Sequence, residues 1–456
     1  MIFYTLPLIF TLVAATVSLI KIDKLSQYSS VLFSILTLVS SIAIAFSQNF
    51  SHYFIYIDGA SKIMLFTISI IYMGTTIYSI SYIKHIHNPL LKQNFYFLWL
   101  NLFTFSMLFS VMVKNLGLIW VGIEATTITS ALLVAIENSK ESIEATWRYI
   151  IIVSVGLVVS LFGNVFIFGA GGTLDFVKLA SMHGVNDKII TLGILMAVVG
   201  YGTKAGIFPM HSWLPDVHGK APSPISAIFS GVLLPVALFG IFRTTEVYSS
   251  HIVKEFMFIL GFLTLVTAAT LSTVQKYYKR LYAYSSMENM GIALIGISLG
   301  GYAILGSVIV IVAHAFAKSA VFYLSGNILI RTKKTRIDEV KNLFNHMPFT
   351  AYSLFFASLA ATGAPPFATF AGEILIMSKL YEVYGIISVV VFALFASLAF
   401  ISVNYYTGKM IFSKEEAESN ERHMLVNLIP AMHIILAFLT IFLIPKFNLL
   451  LAGVIR

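Results

Sequence analysis

The sequence of 456 residues contains no cysteine. A chain without thiols can form no disulfide, and by itself it can hold neither an iron–sulfur cluster nor a cysteine-ligated zinc ion. Charge is also scarce: charged residues make up 11% of the chain, against roughly 25% in soluble domains. The longest polar stretches, 331–347 and 413–424, are too short to fold alone. These absences argue against a soluble enzyme, and we find no arrangement of residues typical of a catalytic centre.

What the chain has instead is long apolar runs, because 58% of its residues are hydrophobic. A bilayer core about 30 Å thick needs roughly 20 such residues per helix. We therefore predict an all-α polytopic membrane protein of about fourteen helices. The predicted segments lie at 3–20, 29–47, 63–83, 95–113, 116–136, 148–169, 189–214, 222–245, 252–274, 283–300, 302–329, 349–380, 384–411 and 425–445.

Basic residues concentrate in alternate loops between these segments. Lys276, Lys279 and Arg280 share one such loop, and the stretch 331–341 holds five more basic residues. Since cytoplasmic loops carry the excess of Lys and Arg, we expect both termini to lie outside the cytoplasm of a cell membrane. The same loops explain the formal net charge of +9, so nucleic acid is not an expected partner.

Two of the predicted helices are interrupted by proline. The first break is at Pro209 in the seventh segment, and the second is in "TGAPPFATFAGE" (362–373) in the twelfth. Paired broken helices indicate an internal inverted repeat with ion sites near mid-membrane. We predict an N-terminal unit at 1–94, five-helix repeats at 95–250 and 251–411, and a last helix within 412–456. Two unrelated kinks remain the alternative.

A few charged side chains fall inside the apolar segments, where each charge costs about 2.5–3.5 kcal/mol. Such residues face a protein interior or a water-filled cavity. Because acidic and basic residues alternate among them, we predict that they form ion pairs. When such a pair opens, the buried lysine can lose its proton, so the pair is a switchable proton site. The candidates for ion translocation are Glu124, Lys204, His314, Lys318 and Glu373.

Plainer interpretations of the same residues stay open. Glu124 and Lys204 could form a static buried salt bridge, and His314 could be a hydrogen-bonded core histidine. His211 and His218 flank Pro215 and could be loop residues only. No carboxylate stands near the two histidines at ligand spacing, so we predict no metal site.

Several motifs, in order, resemble the antiporter-like subunits of respiratory complex I, group 4 membrane-bound hydrogenases and multisubunit cation/proton antiporters. They are "WVGIEATTITSALL" (120–133), "GYGTKAGIFPMHSWLPDVHGKAPSPISAIFSGVLL" (200–234), "KRLYAYSSMENMGI" (279–292), "HAFAKSAVFYLSGN" (314–327) and "GAPPFATFAGEIL" (363–375). Within this family, the motif sequences most resemble the F-type membrane component of hydrogenase-4, followed by the M-type component of complex I.

The resemblance implies roles for the buried charges. It pairs Glu124 with Lys204, gives His314 and Lys318 the link between two half-channels, and makes Glu373 the terminal acid. Lys279 and Glu288 in the third motif join His211 and His218 as candidate access or loop residues. One position departs from the family pattern: Pro235, in "LLPVALFG", stands where M-type components carry a bridging lysine. The hydrophilic axis must cross this gap by water or by another group, or the path is interrupted.

The function implied is translocation of H⁺ or Na⁺ by a membrane component without cofactors in a redox-driven complex. Its expected partners are other membrane subunits, including further antiporter-like ones, lipid, and a peripheral redox module whose subunits carry iron–sulfur clusters. The alternatives are a non-pumping membrane scaffold, which Pro235 favours, and a component of a cation/proton antiporter or an inorganic-carbon uptake complex.

Overall fold

The computed structural model describes residues 1–182, 187–248, 250–413 and 427–452. The predicted all-α polytopic fold is confirmed: in these ranges eleven helices are long and apolar enough to cross a membrane. The predicted number of fourteen crossings stays a prediction. The helices are α1 Ile2–Ser18, α2 Asp23–Ala45, α3 Gly59–Tyr82, α4 Gln93–Met112, α5 Leu116–Val134, α6 Lys140–Gly171, α7 Phe176–Leu179, α8 Asp187–Ala205, α9 Trp213–Lys220, α10 Ser223–Ile228, α11 Leu234–Thr245, α12 His251–Ser272, α13 Tyr278–Leu299, α14 Tyr302–Thr332, α15 Leu343–His346, α16 Pro348–Ala361, α17 Ala368–Phe412 and α18 Leu428–Leu451.

The loops gather on two faces of the helical bundle. On one face a short hairpin, β1 Phe50–His52 with β2 Ile55–Ile57, adds a small sheet that the all-α prediction lacks. Ile55 bridges to Val113, and Asn115 bridges to Asp175. On the other face, which we call the basic face, the loops before α13 and after α14 meet, and Asp216 binds Arg148 and Arg280. The face with the hairpin is called the opposite face.

The first broken helix ends earlier than its proline. The predicted segment 189–214 is interrupted after Ala205, because Gly206 adopts a left-handed φ of 75° that ends α8. The carbonyl of Thr203 then accepts a hydrogen bond from the Trp213 indole (2.9 Å), and the Phe208 N–H donates to Thr264 (3.0 Å). The break therefore satisfies its freed backbone groups inside the protein, as a lipid environment requires.

The second broken helix repeats this arrangement. α16 ends at Ala361, Gly363 has φ 73°, and α17 begins at Ala368. The hydroxyl of Thr369 donates to the Ala360 carbonyl (2.8 Å), and the amide of Asn289 donates to the Ala361 carbonyl (3.1 Å). In both breaks a proline follows the left-handed glycine by three residues, at 209 and 366. This parallel supports the predicted repeat, whose boundaries stay a prediction.

The predicted helix 222–245 keeps one direction, but its hydrogen-bonding pattern changes partway along. A π-helical turn, Phe229–Leu233, separates α10 from α11, and Pro235 lies in the first turn of α11. Such turns are rare and often occur at functional sites. Later in the chain, Gly385 interrupts α17 with a non-helical conformation. Parts of the predicted unit 412–456, namely 414–426 and 453–456, lie outside the described residues.

Three pairs of helices touch through facing glycines. A Cβ added at one member of each pair would come within 2.5–2.9 Å of the partner's carbonyl oxygen. The backbones therefore approach closely, as small residues allow in membranes. The pairs are Gly163–Gly193 between α6 and α8, Gly261–Gly291 between α12 and α13, and Gly306–Gly372 between α14 and α17.

A buried ion pair ties α11 to the start of α3. The Arg243 guanidinium, 1% exposed, donates to both carboxylate oxygens of Asp58 (2.5 and 2.8 Å) and to Glu246 (2.8 Å). Burial alone would raise the pKa of Asp58, but Arg243 and hydrogen bonds from Ser61 hold it below the usual value. The pair is therefore intact at neutral pH, and its stabilisation is lost as the pH falls below about 4, through the lowered pKa.

We expect Asp58→Ala to destabilise the protein by about 3–5 kcal/mol, because it leaves a buried guanidinium with only Glu246. The measurement is the thermal unfolding midpoint in detergent, read from the loss of monodisperse protein. Asp338→Ala is the control, since it removes an exposed pair with Arg336 (2.9 Å) and should leave the midpoint unchanged. Equal midpoints for both variants would contradict the role assigned to Asp58.

Candidate functional site

Lys204 lies at the end of α8, just before the first break, and is completely buried. Its ammonium donates to the hydroxyl of Thr127 (2.9 Å) and to the hydroxyl of Tyr149 (2.6 Å), and it lies 4.8 Å from the centroid of the Tyr149 ring. The hydroxyls of Tyr149 and Ser130 are also hydrogen-bonded (2.8 Å). The lysine is thus held by neutral hydroxyl groups from α5 and α6.

Glu124, the partner expected for Lys204, is within electrostatic reach of the lysine but is not bonded to it. One carboxylate oxygen accepts from Ser154 of α6 (3.2 Å), and the other is buried without a hydrogen-bond partner. Val121 and Ile128, one turn before and after Glu124 on α5, are exposed. Glu124 therefore sits at the edge of the bundle, between the lysine cluster and an uncovered apolar stripe.

The second cluster is built on α14 and α13. His314 and Lys318, four residues apart on α14, are fully buried, and the His314 ring lies beside the backbone of Ser230. The ammonium of Lys318 donates to the Tyr282 carbonyl (3.2 Å) and lies within electrostatic reach of Glu288. One oxygen of Glu288 is buried and unpartnered. The sequence alone places Glu288 only among access or loop residues, whereas it belongs to this cluster.

Glu373 lies on α17, beyond the second break, and is 8% exposed. Its carboxylate interacts electrostatically with Glu288, which extends the cluster toward α17. The carboxylate also lies directly against the backbone of Gly363, where an added Cβ would be 2.5 Å from it. The second break thus forms the wall against which this acid rests.

His218 lies between Lys279 and the second cluster rather than in a loop. It is fully buried in α9, its ring stacks on Phe322 at a centroid distance of 4.7 Å, and neither ring nitrogen has a hydrogen-bond partner. It is within electrostatic reach of Lys279 and Lys318. Next to it the hydroxyls of Ser230 and Ser286 are hydrogen-bonded (2.7 Å).

A polar cavity of about 450 Å³ opens on the basic face. Lys279, 5% exposed, lies in its wall, donates to the Ala221 carbonyl (3.0 Å), and interacts with Glu137 across the cavity. Because Lys279 also reaches His218, the cavity leads toward the buried clusters. His211 lies apart from it: the ring is half-buried at the first break, 6.0 Å from the Phe208 ring centroid.

Several members of the site are not predicted from the sequence, among them Thr127, Tyr149, Ser230 and Ser286. A signal exists for Thr127, which lies three residues after Glu124 and therefore on the same side of α5. Tyr149 and the two serines carry no such signal, since each comes from another helix. Among the residues described, no three histidine or acidic side chains are close enough to hold a metal ion.

Comparison with known proteins gives one family. Residues 113–401 match the family described as NADH:quinone oxidoreductase/Mrp antiporter, transmembrane. The chain is 31% identical over 378 residues to a hydrogenase-4 component F homolog of Methylacidiphilum infernorum, covering 78% of this chain and 79% of that protein. It is 34% identical to NADH-quinone oxidoreductase subunit M of Pseudomonas aeruginosa, covering 59% of this chain and 56% of that one.

Solved structures share the fold at lower identity. A chain of the archaeal membrane-bound sulfane sulfur reductase superposes with a TM-score of 0.88 at 22% identity, covering 99% of this chain and 96% of that one. A chain of the Mrp complex from Dietzia sp. DQ12-45-1b superposes with a TM-score of 0.87 at 18% identity, covering 99% and 96%. At these identities the likeness establishes the fold alone.

We expect Gly363→Ala to destabilise the protein more than Gly172→Ala does. Both glycines have a left-handed φ (73° and 66°), but only the Cβ at 363 meets another group, the Glu373 carboxylate. Displacing that buried acid should add about 1–3 kcal/mol. The measurement is the difference in thermal midpoint between the two variants in detergent, and equal midpoints would place Glu373 away from the break.

Proposed function

Since the chain belongs to the NADH:quinone oxidoreductase/Mrp antiporter transmembrane family, we propose that it translocates protons or sodium ions as a membrane component of a redox-driven multisubunit complex. Proton translocation is what the family implies. The named relatives from hydrogenase-4 and NADH-quinone oxidoreductase favour a redox-driven complex over an antiporter. The redox groups then reside in partner subunits, iron–sulfur clusters among them, because this chain has no cysteine to ligate them.

The observation that carries the proposal is the coordination of Lys204. Its ammonium has two hydroxyl ligands and no carboxylate ligand. A hydroxyl can accept a hydrogen bond from an ammonium and can donate one to a neutral amine. Thr127 and Tyr149 can therefore stabilise both protonation states of the lysine. A static salt bridge would instead fix the charged state, so this arrangement favours a lysine that releases and regains its proton.

Glu124 supplies the switch in this mechanism. While its carboxylate is bonded to Ser154, the lysine is held by hydroxyls; when the carboxylate turns toward Lys204, the ammonium form is favoured. A charge change in a neighbouring subunit acts on Glu124 because this residue lies beside an exposed stripe of α5. Electron transfer elsewhere in the complex thus changes the proton affinity of Lys204.

From the basic face, the ion enters by the 450 Å³ cavity and passes Lys279 and His218. His218 and the Ser230–Ser286 pair stand in for the missing bridging lysine, since they are buried beside His314 and Lys318. Lys318, Glu288 and Glu373 then form the second half of the path. The scaffold alternative would leave these buried, incompletely paired groups without a role that offsets their cost.

The central test is Lys204→Arg, which keeps the positive charge but cannot release a proton under physiological conditions. We expect the variant to assemble and to lose ion transport. The measurement is ion uptake into vesicles driven by the complex's own redox reaction, at matched content of the complex. Lys62→Arg is the matched control, since Lys62 is also buried but donates to Ser47 and Asn49 near the opposite face.

Two outcomes decide the matter. Loss of transport in Lys204→Arg with parental transport in Lys62→Arg supports proton release at Lys204. Parental transport in both variants overturns it and leaves the scaffold, with ion movement assigned to a partner subunit. Repeating the assay with Na⁺ absent separates the two ions, because a proton path continues to work without sodium.

We also expect Tyr149→Phe to slow transport by about 10–100-fold. The substitution keeps the ring and removes one hydrogen bond to a charged group, which contributes about 1.5–3 kcal/mol. Tyr96→Phe is the control: it removes a buried hydroxyl that bonds only Ser79 (2.8 Å), away from the lysine. The same vesicle assay applies, and equal rates in the two variants would show that the Tyr149 hydroxyl does not assist Lys204.

A further inference from the structure

A second polar cavity, of about 400 Å³, opens on the opposite face. Its lining includes Glu246, Tyr248 and Lys254, and its inner end is formed by Phe242, Ile297 and Ile304. Glu246 is the acid that shares Arg243 with Asp58 (2.8 Å from the guanidinium). A vestibule with a carboxylate in its lining is suited to receive or release a cation.

Beneath this vestibule lies a cavity of only about 40 Å³. The two cavities share Phe242, Ile297 and Ile304, so these three side chains form the partition between them. The volume has room for a few waters at roughly 10–15 Å³ each, but a buried water needs two to four polar partners. Among the described residues, Ser307 is the only polar side chain in the lining, and its hydroxyl already donates to the Ala293 carbonyl (2.8 Å). This lining therefore offers a water too few polar partners to hold it.

One face of α14 runs from this partition to the ion site. Ile304, Ser307 and Ile311 line the small cavity, and at helical spacing they are followed by His314 and Lys318 on the same side. At 1.5 Å per residue, Ile304 and His314 are about 15 Å apart along the helix. The cavity lining, which reaches Ile311, thus covers most of the distance along α14 between the vestibule and the buried imidazole of His314.

The facing wall is α11, and it is aligned in the same way. Pro235, Phe239 and Phe242 line the small cavity, and Glu246 follows one turn after Phe242 on that side. Pro235 begins this wall, directly after the π-helical turn that carries Ser230. The helices α11 and α14, which belong to the two predicted repeats, therefore line one route that has Glu246 at one end and His314 at the other.

We propose that the cavity between Pro235 and Ile304 is an apolar gate through which the translocated cation passes between His314 and the Glu246 vestibule. This inference rests on the proposed function and names its route to the opposite face. The gate is closed when dry and conducts when water enters, as hydrophobic constrictions do in channels. A proline at 235 fits this role, since a lysine on this wall would keep the cavity wet.

The absence of cysteine from the chain provides the test. Single variants Ile304→Cys, Ser307→Cys and Ile309→Cys are made in the intact complex, in sealed vesicles of each orientation. A charged, membrane-impermeant thiol reagent is added at rest and during transport, and labelling of this subunit is read by mass spectrometry. Ile309 is the matched control, because it is fully buried on the other side of α14 and lines neither cavity.

We expect Ile304→Cys to react from the opposite face in both conditions. Ser307→Cys should react from that face several-fold faster during transport than at rest, and Ile309→Cys should react in neither. The gate proposal is overturned if Ser307→Cys is equally unreactive in both conditions, or if it reacts only from the basic face.

A second measurement does not depend on labelling. Ile311→Thr places a hydroxyl in the cavity and should raise the passive cation leak of the vesicles several-fold, whereas Ile309→Thr should not; equal leaks contradict the gate. The two proposals fail separately. If Lys204→Arg stops transport and Ser307→Cys stays unreactive, only the gate is wrong. If Lys204→Arg transports like the parent, the proposed function is wrong whatever the labelling shows.

Discussion

The structure depends on one constraint: in a bilayer, every backbone group and charge that leaves a helix must find its partner inside the protein. Both helix breaks meet it with side chains, the first with the Trp213 indole and the second with Thr369 and Asn289. Lys204 meets it with two hydroxyls, and Arg243 meets it with Asp58 and Glu246. Among the described residues, buried polar atoms without a hydrogen bond lie at Glu124, His218 and Glu288 on the proposed path, and also at Asn164, Tyr201 and His433 outside it. Unsatisfied groups in a dry interior are costly.

Much of the fold could be predicted from the sequence because its main signal is strong. Apolar runs of spanning length define helices without any knowledge of their partners, and the two proline breaks stand out against them. The exact residue at which each of the two helices breaks is harder to predict. Proline was the visible signal, but the left-handed glycines at 206 and 363 end the helices, and a positive φ is not visible in a residue name.

The charged residues of the site can be predicted from the sequence, but its neutral residues cannot. Lys204 and Lys318 are conspicuous, since a charge in an apolar run is rare. Tyr149 is 55 residues from Lys204 and comes from a different helix, so no local pattern links them. The same holds for Arg243 and Asp58, which are 185 residues apart. The prediction for Pro235 relies on the family pattern alone; in the structure this residue lines a small apolar cavity, while His218 and Ser230 lie beside His314.

The facing glycines have a consequence for how the protein can move. Where carbonyl oxygens of one helix lie against the Cα atoms of the next, neither helix can rotate without a backbone clash, and a side chain cannot yield to make room. The pairs α6–α8, α12–α13 and α14–α17 therefore behave as rigid plates, and each plate lies within one predicted repeat. Lys318 and Glu373, on the two helices of one plate, thus keep a constant backbone spacing. Within a plate, a change at a buried charge has to come from its side chain or from water, whereas one repeat can still shift as a body against the other.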